Sequence, residues 1–116
     1  MPYYRLFYHM VWATKNREPL ITLEIEPIIY SLLRTKAIGL GGTVFALNGM
    51  AEHVHMVGSI PPKIAVATFI GQVKGVTSAK YNKQYRKRPL FYWQEEYSVF
   101  SFGGKRLPYV INYVER

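Results

Sequence analysis

Residues 52–57 read Glu-His-Val-His-Met-Val, a run with the character of a β-strand. Successive side chains of a strand point to opposite faces, so His53 and His55 share one face. Val54 and Met56 then share the other face and point into a core. Two imidazoles side by side are suited to binding a metal ion and leave room for further ligands. A pair of surface histidines without a metal is the alternative interpretation.

The composition indicates one globular domain with a basic surface. The chain has 116 residues, of which 49% are hydrophobic, enough for the core of a single domain. Fifteen Lys and Arg against seven Asp and Glu give a formal net charge of +8. A surplus of this size indicates a polyanionic partner, most often a nucleic acid. The ten tyrosines suit stacking on unpaired bases, although most of them are expected in the core or in strands.

Several classes of protein do not match the sequence. The absence of cysteine excludes disulfides, thiolate metal sites and cysteine nucleophiles. Residues 1–6 lack a basic segment followed by an apolar core, so no signal peptide is evident, and no apolar run is long enough to span a bilayer. We therefore expect a cytoplasmic protein with no membrane partner.

The order of the elements predicts an α+β fold in a single domain over residues 1–116. The residue patterns predict strands over 3–14, 43–48, 53–60, 91–94 and 97–102, and helices over 22–39, from 66 onward and from 108 onward. This order is the βαββαβ ferredoxin-like plan, an antiparallel sheet with helices on one face, followed by a C-terminal helix that carries tyrosines. Because the first and third strands are central neighbours in that plan, we expect the histidine pair in the middle of the sheet.

Both early helices carry recognisable signals. Thr22 is predicted to cap the first helix, Pro27 to lie in its first turn and Gly39 to end it in the left-handed conformation. The apolar face of the second helix leaves Lys74 and Lys80 elsewhere on its surface.

Two basic segments are candidates for binding phosphates, the turn at 15–17 and the run at 83–88. Solvated charges are the alternative in both places. Ranked by clustering, the candidate DNA-binding residues are Lys15, Arg17, Lys74, Lys80, Arg86, Lys87 and Arg88.

His9 lies on the first predicted strand. It would reach the histidine pair if this strand neighbours the third. Since a lone strand histidine is more often a packing or hydrogen-bonding residue, we do not assign it to the metal site.

Six stretches of the chain together resemble the HUH single-tyrosine transposases. These are the TnpA-like enzymes of the smallest bacterial insertion sequences and their REP-associated relatives. The matching stretches are Thr14–Arg17, Glu52–His55, Ser59–Lys63, Gln72–Ser78, Trp93–Gln94 with Tyr97–Val99, and Tyr113–Arg116. The histidine motif alone is weakly specific, whereas the six stretches in the expected order span nearly the whole chain.

The resemblance implies an enzyme that cuts and rejoins single-stranded DNA at hairpin-bearing ends. A tyrosine oxygen attacks a backbone phosphorus, leaving a 5′-phosphotyrosine link and a free 3′-hydroxyl. His53 and His55 would hold a divalent ion, Mg²⁺ or Mn²⁺, which assists a phenol whose ordinary pKa is about 10. The family further implies a homodimer in which the active site is shared between subunits.

Tyr113 is the residue that matches the family's nucleophile, and Tyr109, one turn earlier on the same helix face, is its rival. Packing of both tyrosines on the sheet is the alternative. The family's third metal ligand, a glutamine four residues after the tyrosine, would fall just beyond Arg116. Two other functions stay open: a domesticated enzyme that processes REP hairpins, and a non-catalytic single-stranded nucleic-acid binding protein.

Overall fold

A computed structural model describes residues 6–116 of the chain and shows the βαββαβ order followed by a C-terminal helix. The elements are β1 (Leu6–Ala13), α1 (Glu26–Gly39), β2 (Thr43–Met50), β3 (His53–Ser59), α2 (Val66–Tyr85), β4 (Ser98–Gly103) and α3 (Leu107–Glu115). Short 3₁₀ turns at Lys15–Arg17 and Gly104–Arg106 follow β1 and β4. The first residues of the predicted first strand, 3–5, lie outside the described residues.

The four strands form one antiparallel sheet in the order β2-β3-β1-β4. β1 and β3 are therefore the central pair, as the ferredoxin-like plan predicts. Val11 of β1 lies opposite His55, and Asn48 of β2 lies opposite the same residue on the other side. This register places the histidine pair in the middle of the sheet.

One face of the sheet is covered by α1 and α2. Apolar side chains of β1 and β3 pack there against both helices, and the buried members of this core include Met10, Trp12, Val54, Met56, Ile29, Leu33, Phe69, Ile70 and Val73. Burial of this apolar surface stabilises the fold and fixes which side chains point the other way.

The opposite face is partly covered by α3. Val114 packs there against Ala46 of β2 and Val57 of β3. The side-chain amide of Asn48 also donates a hydrogen bond to the carbonyl of Val114 at 2.9 Å. These contacts hold the C-terminal helix over the face that carries the histidines.

The ends of α1 differ from the predicted ones. Glu26 begins the helix and Ile25 precedes it, while the Thr22 carbonyl accepts hydrogen bonds from the N–H groups of both. Thr22 therefore closes a turn ahead of the helix and does not cap it. Gly39 is still helical, and the left-handed conformation occurs at Gly41, with φ +95°. The chain turns two residues later than predicted because the helical hydrogen bonds continue through Leu40.

The predicted strand at 91–94 is not formed. A single bridge joins Trp93 to Thr14. The side chain of Asn82 holds the segment by bonding both the N–H and the carbonyl of Phe91, each at 2.8 Å. Phe91 is buried in the core that α1 and α2 form with the sheet. The segment therefore needs apolar residues although it is not a strand, and these residues produce the strand-like pattern. Among residues 6–116 no helix combines the length and apolar character needed to cross a bilayer.

Candidate active site

The histidine pair lies on the sheet face opposite α1 and α2. Val54 and Met56 are fully buried in the core, so the alternation of the strand directs His53 and His55 to the other face. The centroids of the two imidazole rings lie 5.0 Å apart, with the ring planes at 73°. The predicted placement of the pair is confirmed, and its role as a metal site stays a prediction.

The Nδ1 atom of each histidine contacts a residue outside the pair. Nδ1 of His53 donates to the carboxylate Oε1 of Glu52 at 3.0 Å. Nδ1 of His55 lies 2.8 Å from Nε2 of His9, and one of these nitrogens donates to the other. Nε2 of His53 is thus left to bind a ligand, and Nε2 of His55 is left to do so when His55 is the donor to His9. His9, which the sequence does not assign to the metal site, thus contacts the pair, and its place on the strand expected to neighbour the third was the signal for this contact.

Burial and neighbouring groups set the charge of these residues. Burial is the main cause that lowers the pKa of His55 to about 4, and positive charge on His9 and His53 lowers it further. Burial also lowers the pKa of His9. The pKa of Glu52 is lowered mainly by the hydrogen bond from His53. The positive charge of Arg17, 3.9 Å away, lowers it further. At neutral pH the imidazole of His55 is therefore uncharged, the form that binds metal ions.

In the described part of the chain, the predicted metal site consists of the two imidazoles of His53 and His55. Within residues 6–116 no three His, Cys, Asp or Glu side chains form a group that could hold a metal ion. His53 and His55, each with Nδ1 in a hydrogen bond, could bind through Nε2 a divalent ion whose other positions would be filled by phosphate oxygens and water. The contact of His53 with Glu52 is of the kind that orients metal-binding histidines. The residues present therefore fit such an ion.

Tyr113 lies beside the histidines of its own chain. Its ring centroid is 6.2 Å from that of His9. A cavity of about 290 Å³ is lined by Tyr113 together with His53 and His55. The Tyr113 side chain is exposed, so its hydroxyl is accessible to a substrate. One turn earlier, the ring of Tyr109 instead lies under the guanidinium of Arg106, 5.6 Å away.

A second, larger cavity adjoins the histidines. It measures about 520 Å³ and is lined by both histidines together with Arg17, Gln94 and Tyr97. Arg17 reaches this position because the backbone N–H of Thr14 donates to the carbonyl of Glu52 at 2.9 Å, which joins the basic turn to the start of β3. Of the predicted DNA-binding residues, Arg17 is thus the one that lines a cavity together with the histidine pair.

Lys74, one of the predicted DNA-binding residues, is not on the surface of the protein. Its side chain is buried, and its ammonium donates to the carbonyls of Gln94, Glu95 and Glu96 at 2.6, 3.1 and 3.4 Å. Burial lowers its pKa. The ammonium of Lys74 therefore contacts the loop that lines the larger cavity, and its role in DNA binding stays a prediction. Its spacing from Ile70, on the buried side of α2, was the signal in the sequence.

The other basic candidates are exposed. Lys15 lies over the ring of Tyr92 at 5.9 Å, next to the larger cavity. Arg86 follows the end of α2, and Lys87 pairs with Glu24 at 3.2 Å, so this run borders the helical side of the molecule. Four predicted DNA-binding residues are exposed on or after α2, namely Lys80, Arg86, Lys87 and Arg88.

Comparisons with known proteins identify the family of this chain and other proteins with its fold. A family model described as transposase IS200 like matches residues 2–116. The chain is 26% identical over 117 residues to the ISDra2 transposase TnpA of Deinococcus radiodurans, covering 97% of this chain and 84% of that protein. It is 31% identical over 103 residues to the transposase for insertion sequence element IS200 of Salmonella typhimurium, covering 83% of this chain and 66% of that protein. The chain thus spans about two thirds of the IS200 relative's length.

Two solved structures share the fold. One is the crystal structure of a Deinococcus radiodurans R1 protein described as a transposase, with a TM-score of 0.79, 24% identity and coverage of 98% of this chain and 92% of that chain. The other is a REP-associated tyrosine transposase bound to a REP hairpin, with a TM-score of 0.68, 13% identity and coverage of 98% and 68%. At these identities the likeness concerns the fold alone.

Proposed function

The chain belongs to the family of IS200-like transposases, enzymes that cut and rejoin DNA, and from this membership we propose that it acts on single-stranded DNA through a covalent link to Tyr113. His53 and His55 are the proposed ligands of a divalent metal ion. The observation that carries the proposal is the cavity of about 290 Å³ that Tyr113 shares with both histidines. A nucleophile and a pair of metal ligands in one cavity can contact the same phosphodiester.

In the proposed reaction Tyr113 attacks the phosphorus of a backbone phosphodiester. A bond forms between the phenolic oxygen and phosphorus, while the bond from phosphorus to the 3′ oxygen breaks. The phenolic proton is lost to solvent, and the departing 3′ oxygen takes up a proton to become a hydroxyl. The phosphotyrosine retains the energy of the phosphodiester, so attack by another 3′-hydroxyl rejoins the strand without a nucleotide cofactor.

His53 and His55 hold the metal ion in this proposal, and Mg²⁺ and Mn²⁺ are the expected ions. The ion supplies positive charge that polarises the scissile phosphate and offsets negative charge in the transition state. Phosphate oxygens and water would complete the coordination of such an ion, since Mg²⁺ and Mn²⁺ both prefer oxygen ligands. The carboxylate of Glu52 accepts the Nδ1 proton of His53 and so orients this imidazole.

The proposed substrate is single-stranded DNA with a hairpin near the cut site. The formal net charge of +8 supports a polyanionic partner, and Arg17 lies at the rim of the larger cavity beside the histidines. Exposed aromatic side chains near His9, among them Phe100, suit stacking on unpaired bases. The structural relative bound to a REP hairpin makes a folded hairpin the first substrate to test.

The test is formation of a covalent adduct. The chain is mixed with labelled single-stranded oligonucleotides from the flanks of its own gene, with and without Mn²⁺, and run on a denaturing protein gel. We expect a label that moves with the protein, requires Mn²⁺, and is absent from Tyr113→Phe. Tyr109→Phe is the matched control, since it removes the same atom one helical turn away, and it should retain the adduct.

The other outcomes separate the remaining functions. An adduct that persists in Tyr113→Phe and disappears in Tyr109→Phe would reassign the nucleophile within the same class of enzyme. Tight binding of the oligonucleotides without any adduct would instead indicate a non-catalytic single-stranded nucleic-acid binding protein. Cleavage of chromosomal REP hairpins in preference to the flanks of the gene would indicate a domesticated enzyme.

A homodimer with a shared active site belongs to the same proposal and has its own test. Tyr113 lies beside the histidines of its own chain, an arrangement that permits the reaction within one chain. Chains carrying Tyr113→Phe are mixed with chains carrying His53→Ala and His55→Ala. Adduct formation in the mixture requires a tyrosine from one subunit at the histidines of the other, whereas its absence indicates that each chain uses its own.

A further inference from the structure

The imidazole of His9 lies close to both the histidine pair and Tyr113 of the C-terminal helix. Its ring centroid is 5.0 Å from that of His55 and 6.2 Å from that of Tyr113. The strand register explains the position, because His9 pairs with Val57 and therefore shares the face of β3 that carries His55, two residues away. Phe100 of β4 lies on the other side of the His9 ring, at 6.2 Å.

The contact between His9 and His55 joins defined atoms. Nε2 of His9 lies 2.8 Å from Nδ1 of His55, an ordinary hydrogen-bond distance. A neutral imidazole carries one proton and one lone pair on its two nitrogens, so this contact couples the tautomers of the two rings. Either His55 donates and His9 accepts, or the reverse.

Only one of these arrangements leaves His55 able to bind a metal ion. If Nδ1 of His55 carries the proton and donates to His9, the lone pair of His55 is on Nε2. If His9 donates instead, the His55 proton is on Nε2 and that nitrogen has no free lone pair. His53 has no such ambiguity, because the carboxylate of Glu52 can only accept.

We propose that His9 is a positioning residue for His55: its Nε2 accepts the Nδ1 proton of His55 and so keeps His55 Nε2 free and oriented for the metal ion. This inference rests on the proposed function, since it requires that the histidine pair binds a cation. Partners of this kind fix both the tautomer and the ring orientation of metal-binding histidines. The pair is then oriented by two different acceptors, a carboxylate for His53 and an imidazole for His55.

The first test measures Mn²⁺ affinity from the electron paramagnetic resonance signal of the free ion, in the full chain. His9→Phe keeps a ring and removes the acceptor, and we expect its dissociation constant for Mn²⁺ to rise about 10- to 100-fold. His9→Gln restores an acceptor oxygen and should recover most of the affinity. Phe7→Leu is the matched control on the same strand and face, where Phe7 contacts Phe45 and Phe102 away from the histidines.

The outcomes distinguish this inference from the proposed function. Wild-type chain that binds no Mn²⁺ would contradict the proposed metal site itself. Wild-type binding matched by His9→Phe would overturn only the role of His9. Thermal unfolding of each variant shows whether it is folded, and a loss of affinity in Phe7→Leu equal to that in His9→Phe would attribute the effect to packing and overturn the proposal.

The second test uses the wild-type chain and does not depend on any variant folding. Long-range ¹H–¹⁵N spectra of the imidazoles report which nitrogen carries the proton, and Zn²⁺ serves as a diamagnetic probe of the site. With Zn²⁺ we expect the metal-bound signature on Nε2 of His55 and His53, and protonated Nδ1 on His55. A metal-bound nitrogen on His9, or a proton on His55 Nε2, would overturn the positioning role.

Discussion

The ammonium group of Lys74, buried on α2, donates a hydrogen bond to the backbone carbonyl of Gln94 at 2.6 Å. Two further carbonyls of the same loop, those of Glu95 and Glu96, lie at 3.1 and 3.4 Å. The loop lines the larger cavity beside the histidines. A side chain of α2 thus helps to hold a loop that lines the cavity beside the histidines.

Replacement of Lys74 tests this structural role. Lys74→Met keeps most of the aliphatic length but leaves the loop carbonyls without their donor, so we expect the free energy of unfolding to fall by about 1–3 kcal/mol. Chemical denaturation measures the change. Lys80→Met, on the exposed side of the same helix, should change stability by less than about 0.5 kcal/mol.

DNA affinity provides the contrasting measurement for Lys74. Removing a lysine that contacts a phosphate reduces the salt dependence of DNA binding. Since Lys74 is bonded to backbone carbonyls, Lys74→Met should leave that slope unchanged. A smaller slope with unaltered stability would mean that Lys74 contacts DNA.

Gly49 of β2 is the basis of a second prediction. A methyl group at this position would overlap the carbonyl oxygen of His53 and approach Cα of Val54 to 2.8 Å. Gly49→Ala must therefore push β2 away from the strand that carries the histidines. We expect a loss of roughly 1–3 kcal/mol in stability, as for other overpacked sites, together with weaker Mn²⁺ binding.

The matched control for Gly49→Ala is Gly75→Ala. Gly75 is exposed on α2, and a methyl group there would have nothing within 4 Å. Alanine favours a helix over glycine by about 0.5–1 kcal/mol, so this variant should unfold at a higher temperature than the wild type. Equal stability of Gly49→Ala and the wild type would contradict the close contact between β2 and β3.

Arg17 is the basis of a third prediction, about DNA. Its side chain is 61% exposed and lines the larger cavity, so we expect it to contact a phosphate of single-stranded DNA. Arg17→Ala should weaken binding and reduce the slope of log K against log salt concentration by about 0.7. Fluorescence anisotropy at several salt concentrations measures the slope.

Lys87→Ala is the comparison for Arg17, because Lys87 lies at the helical side and pairs with Glu24. If the DNA follows the histidine face, this variant should bind with the wild-type slope. The reverse result, a reduced slope only in Lys87→Ala, would place the DNA along the basic run that follows α2.

The sequence predicts the histidine placement because the information is local. A period of two over residues 53–56 is enough to separate His53 and His55 from Val54 and Met56. The same local pattern is misleading at residues 91–94, where apolar aromatic residues resemble a strand. There a side-chain amide 9 residues away, that of Asn82, holds the backbone of Phe91 and takes the place of a neighbouring strand.

The contacts that the sequence does not predict join residues far apart in the chain. His9 and His55 are 46 positions apart, and only the register of β1 against β3 brings their nitrogens within hydrogen-bond distance. Lys74 is 20 positions from its first carbonyl partner, in a loop without regular structure. Composition identifies such residues as basic or aromatic, but tertiary structure decides whether they face DNA or the protein.

The pH dependence of stability is the last prediction, and it follows from the environment of His55. Burial and nearby charge lower the pKa of this imidazole from 6.5 to about 4 in the folded chain. Between those two values the unfolded chain binds more protons at His55 than the folded chain does. The free energy of unfolding must therefore fall as the pH decreases from about 6.5 toward 4, and this contribution is fully present above that range.

Thermal unfolding between pH 4 and 8 in EDTA measures this effect in metal-free protein. Carboxylates that titrate in the same range act on the wild type and on His55→Gln alike, so the difference between the two curves isolates the histidine. We expect the wild type to lose more stability than His55→Gln as the pH falls through this window. Burial also lowers the pKa of His9, so His55→Gln should remove only part of the slope. Parallel curves would mean that His55 is protonated equally well in the folded and unfolded chains, which would contradict its burial against His9.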